Sequence, residues 1–124
     1  MFNYGEIEKM VRLRKNQQKS EFFTTLPLSK TELSHCLGIS RSTLFLWERV
    51  LLFNLTDFRN DYVLKNQILD LKQPLTPYQC WCLNRFGAIV LVYKTLDRSK
   101  VFLKSNENSF SKRIFLKSQP KIGE

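Results

Sequence analysis

One glycine, Gly38, separates two stretches that both carry helix-start chemistry and helical apolar spacing. Upstream, Ser29-Lys30-Thr31-Glu32 has the form of a capping box. The Ser29 hydroxyl can accept from the amide three residues on, and Glu32 can reach back to the Ser29 amide. Leu28 and Leu33 occupy the two positions of a hydrophobic staple. Leu33 and Leu37 share a face, with small Ser34 beside them where a second helix can approach closely. A helix that ends in the left-handed region favours a residue without a Cβ, and Gly38 follows at once. Ile39 is suited to fill the gap between helices, and Ser40 offers a second N-cap. Leu44, Trp47 and Leu51 then recur at i, i+3 and i+7, with Val50 alongside. The spacing predicts two helices joined by a tight turn over residues 29–52. An ordinary helical hairpin in a small bundle carries the same local signals.

Apolar anchors at Leu33, Leu37, Ile39, Leu44 and Trp47 around a glycine turn resemble those of a helix-turn-helix. The run GISRSTLFLWER is similar to the turn and recognition helix of MerR-type and excisionase-type regulators, which often read Gly-Val-Ser-x-x-Thr-Leu-Arg-Tyr-Tyr-Glu-Arg. The resemblance covers residues 28–49, about a fifth of the chain. It implies double-stranded DNA as partner and a second helix that enters the major groove by its N-terminal end. The residues then expected to face DNA are Ser40, Arg41, Ser42, Thr43, Phe45, Leu46 and Arg49. Arg41 suits a bidentate contact to guanine or a phosphate anchor. Ser40, Ser42 and Thr43 can donate to phosphate beside the helix N-terminus. Phe45 and Leu46 stand where that family carries Arg and Tyr; they either touch thymine methyls or pack on protein. Arg49 suits a backbone contact or a surface ion pair. Residues 50–55 are more apolar than that family's glycine-containing continuation, and no wing is recognisable there.

Charge fits a polyanion partner. The chain of 124 residues carries a formal +9. The excess lies towards the ends: residues 1–30 hold six Lys/Arg and three acids, and residues 97–124 hold seven and three. Clustered on one face, such cations would release counterions from a nucleic acid. A basic surface with no such partner is the plain alternative. With 43% hydrophobic residues and few Gly or Pro, the composition predicts a folded, mainly helical chain. The fold class expected is all-α: one small helical domain over residues 1–118, with a flexible tail at 119–124. No apolar leader opens the sequence, and the longest apolar run, residues 86–93, is far short of a membrane span. Three cysteines are too few for a disulfide framework, so the expected setting is cytoplasmic and reduced.

Along the rest of the chain, residues 5–16 have amphipathic helical spacing. Residues 22–26 fit a short extended piece or a packed loop. Thr56 or Asp57 could cap a helix running to about Leu71. Thr76-Pro77-Tyr78-Gln79 is a second capping box with Pro at the first helical position. The helix it opens, to about Leu96, is apolar nearly all round and belongs in a core, or at a homodimer interface if exposed. Its β-branched part, residues 86–93, leaves a strand open as an alternative. Asn84 and Arg85 are expected at its edge. Val101-Phe102-Leu103 and Ile114-Phe115-Leu116 fit short helices or extended pieces near residues 101–116.

Other chemistries find little purchase. His35-Cys36 and Cys80-x-Cys82 diverge on a helix and lack zinc-ligand spacing, so no metal is expected and the thiols read as small buried apolar groups. With one histidine, scattered acids and isolated glycines, the chain shows no nucleophile–base pair, phosphate loop or small-molecule site, and neither enzyme activity nor a cofactor is expected. The alternative to DNA binding is a helical protein-interaction adaptor that uses Phe45, Leu46, Leu52 and Phe53 as its contact face.

Overall fold

The structure, a computed structural model, describes residues 22–119. The amphipathic segment at 5–16 and the tail beyond Gln119 lie outside them. The element order is α1 (Lys30–Leu37), α2 (Arg41–Asn54), α3 (Thr56–Asn60), a hairpin of β1 (Leu64–Lys65) and β2 (Ile68–Leu69), α4 (Pro77–Tyr93), α5 (Leu96–Ser105), a 3-10 turn (Glu107–Phe110) and α6 (Lys112–Ser118).

Both capping boxes form. Ser29 Oγ accepts from the Glu32 amide at 3.1 Å while the Ser29 amide donates to Glu32 at 3.0 Å. Thr76 and Gln79 repeat the exchange at the start of α4. The two helix starts lie side by side, because Leu28 and Leu75, each just ahead of its cap, pair as an antiparallel bridge with amide–carbonyl distances of 3.0 and 2.7 Å. Residues 22–27 are an irregular loop, not a strand, with Phe22 and Phe23 packed on the core. Gly38 takes φ +69°, and its amide bonds back to the His35 carbonyl. Ile39 packs against the core between α1 and α2.

Helix α4 is the axis of the molecule. Tyr78, Trp81, Cys82, Leu83 and Phe86 are buried, and Leu33, Leu44, Trp47, Leu51, Phe58, Leu103 and Phe115 complete the core around them. Trp47 meets Phe86 edge-on at 6.2 Å, and Phe115 sits 5.3 Å from Trp81. Residues 86–93 are therefore helix, as an all-round apolar segment surrounded by other helices should be. Asn84 is buried, contrary to the edge position expected for it, while Arg85 lies at the margin with its guanidinium 4.5 Å from the Trp81 ring centre. Most of the α4 apolar surface is thus spent on the core, with Leu91 left exposed near its end. The helix stops at Lys94, which is left-handed at φ +69°, and Thr95 caps α5.

Two further expectations, the length of the helix at Thr56 and the burial of Cys36, differ from what forms. The helix opened at Thr56 ends at Asn60 rather than near Leu71, and a β-hairpin follows. After Phe58 and Tyr62, the next turns of a helix would place Lys65 or Asn66 on the apolar face, which breaks the pattern. Asn66 and Gln67 instead adopt φ +53° and +67°, the two left-handed residues of a type I′ turn. Of the two alternatives for the apolar pieces in residues 101–116, the helical one forms: Ser111 caps α6, whose Phe115 reaches the core. Cys36 is exposed; only Cys80 and Cys82 are buried. Among the described residues, no helix is long and apolar enough to cross a membrane.

Candidate nucleic-acid interface

Helix α2 has two unlike faces. Leu44, Trp47, Glu48, Val50 and Leu51 are buried. At 100° per residue, Arg41, Ser42, Phe45, Leu46, Arg49 and Phe53 fall within about 140° of arc on the opposite side. All six are exposed. Phe45 is 41% and Leu46 51% exposed, so neither is taken up by the core.

The residues at the α2 start divide by task. Ser40 accepts from the Thr43 amide at 3.1 Å and donates to Thr43 Oγ1 at 2.9 Å. Both hydroxyls are thus engaged in the cap, and Thr43 is only partly exposed. Arg41 and Ser42 are exposed at the first turn, where unsatisfied amides concentrate positive potential. The Arg41 guanidinium lies 5.6 Å from the Phe45 ring centre and the Lys30 ammonium 5.0 Å, so the ring is flanked by two cations.

Lys30 is a residue that periodicity did not single out. Its ammonium contacts Glu48 at 3.0 Å, with side-chain exposures of 11% and 6%, and donates to the Leu71 carbonyl at 2.5 Å. The Tyr62 hydroxyl donates to the other Glu48 oxygen at 2.6 Å. Burial and the adjoining carboxylate push the Tyr62 phenol far above its ordinary pKa, so it acts only as a donor. One buried carboxylate thereby ties α1, α2, the segment after α3 and the base of the hairpin together, which fixes the presentation of Phe45 and Arg41. A signal existed: Glu48 lies four residues after Leu44 and three before Leu51, on the apolar face. A carboxylate there requires partners.

The hairpin ends in exposed Lys65, Asn66 and Gln67. Its flanks keep Leu64 and Ile68 exposed as well. A groove of about 380 Å³ runs between α2 and α5, with Leu46, Val50, Phe53 and Leu96 as apolar walls. Arg49, Lys100 and Lys104 line the same groove. The structure thus groups Ser40, Arg41, Ser42 and Phe45 at one end of α2 and turns Leu46 and Arg49 towards α5.

The cysteines have no metal-like company. The Cys80 and Cys82 thiols face the carbonyls of Leu75 and Phe110 at 3.8 and 3.7 Å. Burial raises the Cys80 pKa to about 12 and pushes Cys82 up further. Among the described residues, no three His, Cys, Asp or Glu side chains group as a metal site. Comparison with protein-family models, curated proteins and solved structures gives no match to this chain.

Proposed function

We propose that this protein binds double-stranded DNA with the first turns of α2 in the major groove, as a transcriptional regulator or a recombination or replication accessory factor. The observation that carries the reading is the outward first turn of α2, Arg41 and Ser42 beside Phe45, held on a helix pair whose other face is locked into the core. An α-helix about 10–12 Å across matches a groove about 12 Å wide. Arg41 is the base reader, worth about 1–3 kcal/mol of discrimination if bidentate to guanine. Ser42 and the free amides at the helix start hold phosphate, and Phe45 offers its ring edge to a thymine methyl. Arg49 stands eight residues on, about 12 Å along the axis, and is placed for a backbone contact. Lys65 at the hairpin tip supplies another. The +9 charge supports the long-range attraction this requires.

Selection from a random duplex pool tests the reading. It predicts enrichment of a short motif containing a guanine whose preference disappears in Arg41→Ala. A pool that stays random while wild-type protein remains folded would refute it.

A further inference from the structure

We infer that the groove between α2 and α5 is a docking site for an acidic amphipathic helix of a partner protein. This site does not rest on the DNA reading: it shares Arg49 with that reading, but it leaves Arg41 and Ser42 unused and draws on Phe53, Lys100 and Lys104, which the DNA contact does not need. Leu46, Val50, Phe53 and Leu96 give it an apolar lining between polar residues: Phe53 is 72% and Leu46 51% exposed, and they lie seven residues apart on nearly one line of the helix. That places two large apolar side chains about 10.5 Å apart along the axis. The same spacing separates the i and i+7 anchors of an amphipathic helix laid in a groove. The volume of about 380 Å³ accommodates a few such side chains.

The charges select the partner. Lys100 and Lys104, at i and i+4 on α5, face Arg49 on α2 across the groove. No acid lines it, and none of the three cations has an acidic partner among the described residues. An apolar trough with cations on both sides complements a helix with an apolar stripe flanked by Asp and Glu. A second copy of the chain is a poor occupant, since each copy carries +9. The chain's own ends do not supply the acidity either. Residues 1–21 hold five Lys/Arg against three Glu, and residues 120–124 are balanced. Duplex DNA would use the cations but leave Phe53 and Leu46 without apolar contact.

Fluorescence anisotropy with two labelled 18-residue peptides decides the matter. One carries Leu and Phe at i, i+4 and i+7 with Glu on both flanks; the other has the same composition shuffled to remove the periodicity. Full-length protein is compared with Phe53→Ser and Lys104→Glu, both at exposed positions, and with Arg41→Ala. The patterned peptide binds wild type about tenfold or more tightly than the shuffled one. Each groove variant loses about fivefold or more, while Arg41→Ala binds it unchanged. Equal binding of the two peptides, or no loss in Phe53→Ser, overturns the proposal. So does a result in which Lys104→Glu weakens duplex DNA and Phe53→Ser changes nothing, which makes the groove a phosphate track. Absence of any duplex binding overturns only the DNA reading and leaves these comparisons intact.

Discussion

Replacing Lys30 by Met should destabilise the protein through a residue it does not touch with apolar atoms alone: Glu48. The Glu48 carboxylate is 6% exposed and accepts from Lys30 and Tyr62 at 3.0 and 2.6 Å. Removing one partner of a buried ion pair costs about 3–5 kcal/mol, because the remaining charge stays desolvated. The lower end, about 3 kcal/mol, applies here: Tyr62 still donates, and at 11% exposure Lys30 is already partly hydrated. Glu48→Leu strands the Lys30 ammonium and the Tyr62 hydroxyl and should cost a similar amount. The triple variant Lys30→Met, Glu48→Leu, Tyr62→Phe leaves no orphaned group, so it should cost less than either single change. Urea denaturation followed by far-UV circular dichroism and by the fluorescence of Trp47 and Trp81 gives each value. Single variants that each lose under about 1 kcal/mol and add to give the triple would refute a buried, coupled network.

Other consequences are equally direct. Gly38→Ala meets no steric obstacle, yet its φ of +69° should cost about 1–2 kcal/mol in urea melts, from conformational strain alone. With an aromatic disulfide reagent, Cys36 should react at once in native protein. Cys80 and Cys82 should wait for unfolding, since burial holds the Cys80 pKa near 12 and Cys82 above that. The raised native pKa values of Tyr62 and Tyr78 mean that the folded state keeps protons which the unfolded state loses above about pH 10. On the alkaline side stability should be full up to about pH 9, begin to fall as the two thiols deprotonate in the unfolded state, and above about pH 10 fall by about 1.4 kcal/mol more per pH unit for each tyrosine. Tyr62→Phe should shallow the alkaline slope by one proton's worth; an unchanged slope would contradict the burial of that phenol.

Much of the fold was legible because its signals are local. The boxes at Ser29 and Thr76, the stop at Gly38 and the spacing of Leu44, Trp47 and Leu51 each act within a few residues, and each forms. The hairpin was hidden because its turn uses Asn66-Gln67 rather than Asn-Gly, so the left-handed second position carries no glycine mark. The burial of Glu48 depends on partners far along the chain; Tyr62 is fourteen residues and Lys30 eighteen residues from Glu48. For the candidate site, the α2 residues could be chosen by helical phase, and Phe45 and Leu46 are indeed on the outer face. What phase could not give is the approach of α5, which turns Leu46 and Arg49 into groove walls and brings Lys100 and Lys104 beside them. Nor could it tell that Ser40 and Thr43 spend their hydroxyls on each other.

The proposed DNA contact rests on the first turn of α2. The measurement that tests it most directly is the affinity of wild type and Arg41→Ala for a selected duplex and an unrelated one, as salt is raised. Wild-type affinity should fall steeply and log-linearly with salt, by about 0.9 in slope for each phosphate neutralised. Arg41→Ala should lose about 5- to 150-fold on the selected duplex and little on the other. No duplex binding at low salt, or an Arg41→Ala variant that still discriminates as wild type does, would contradict it.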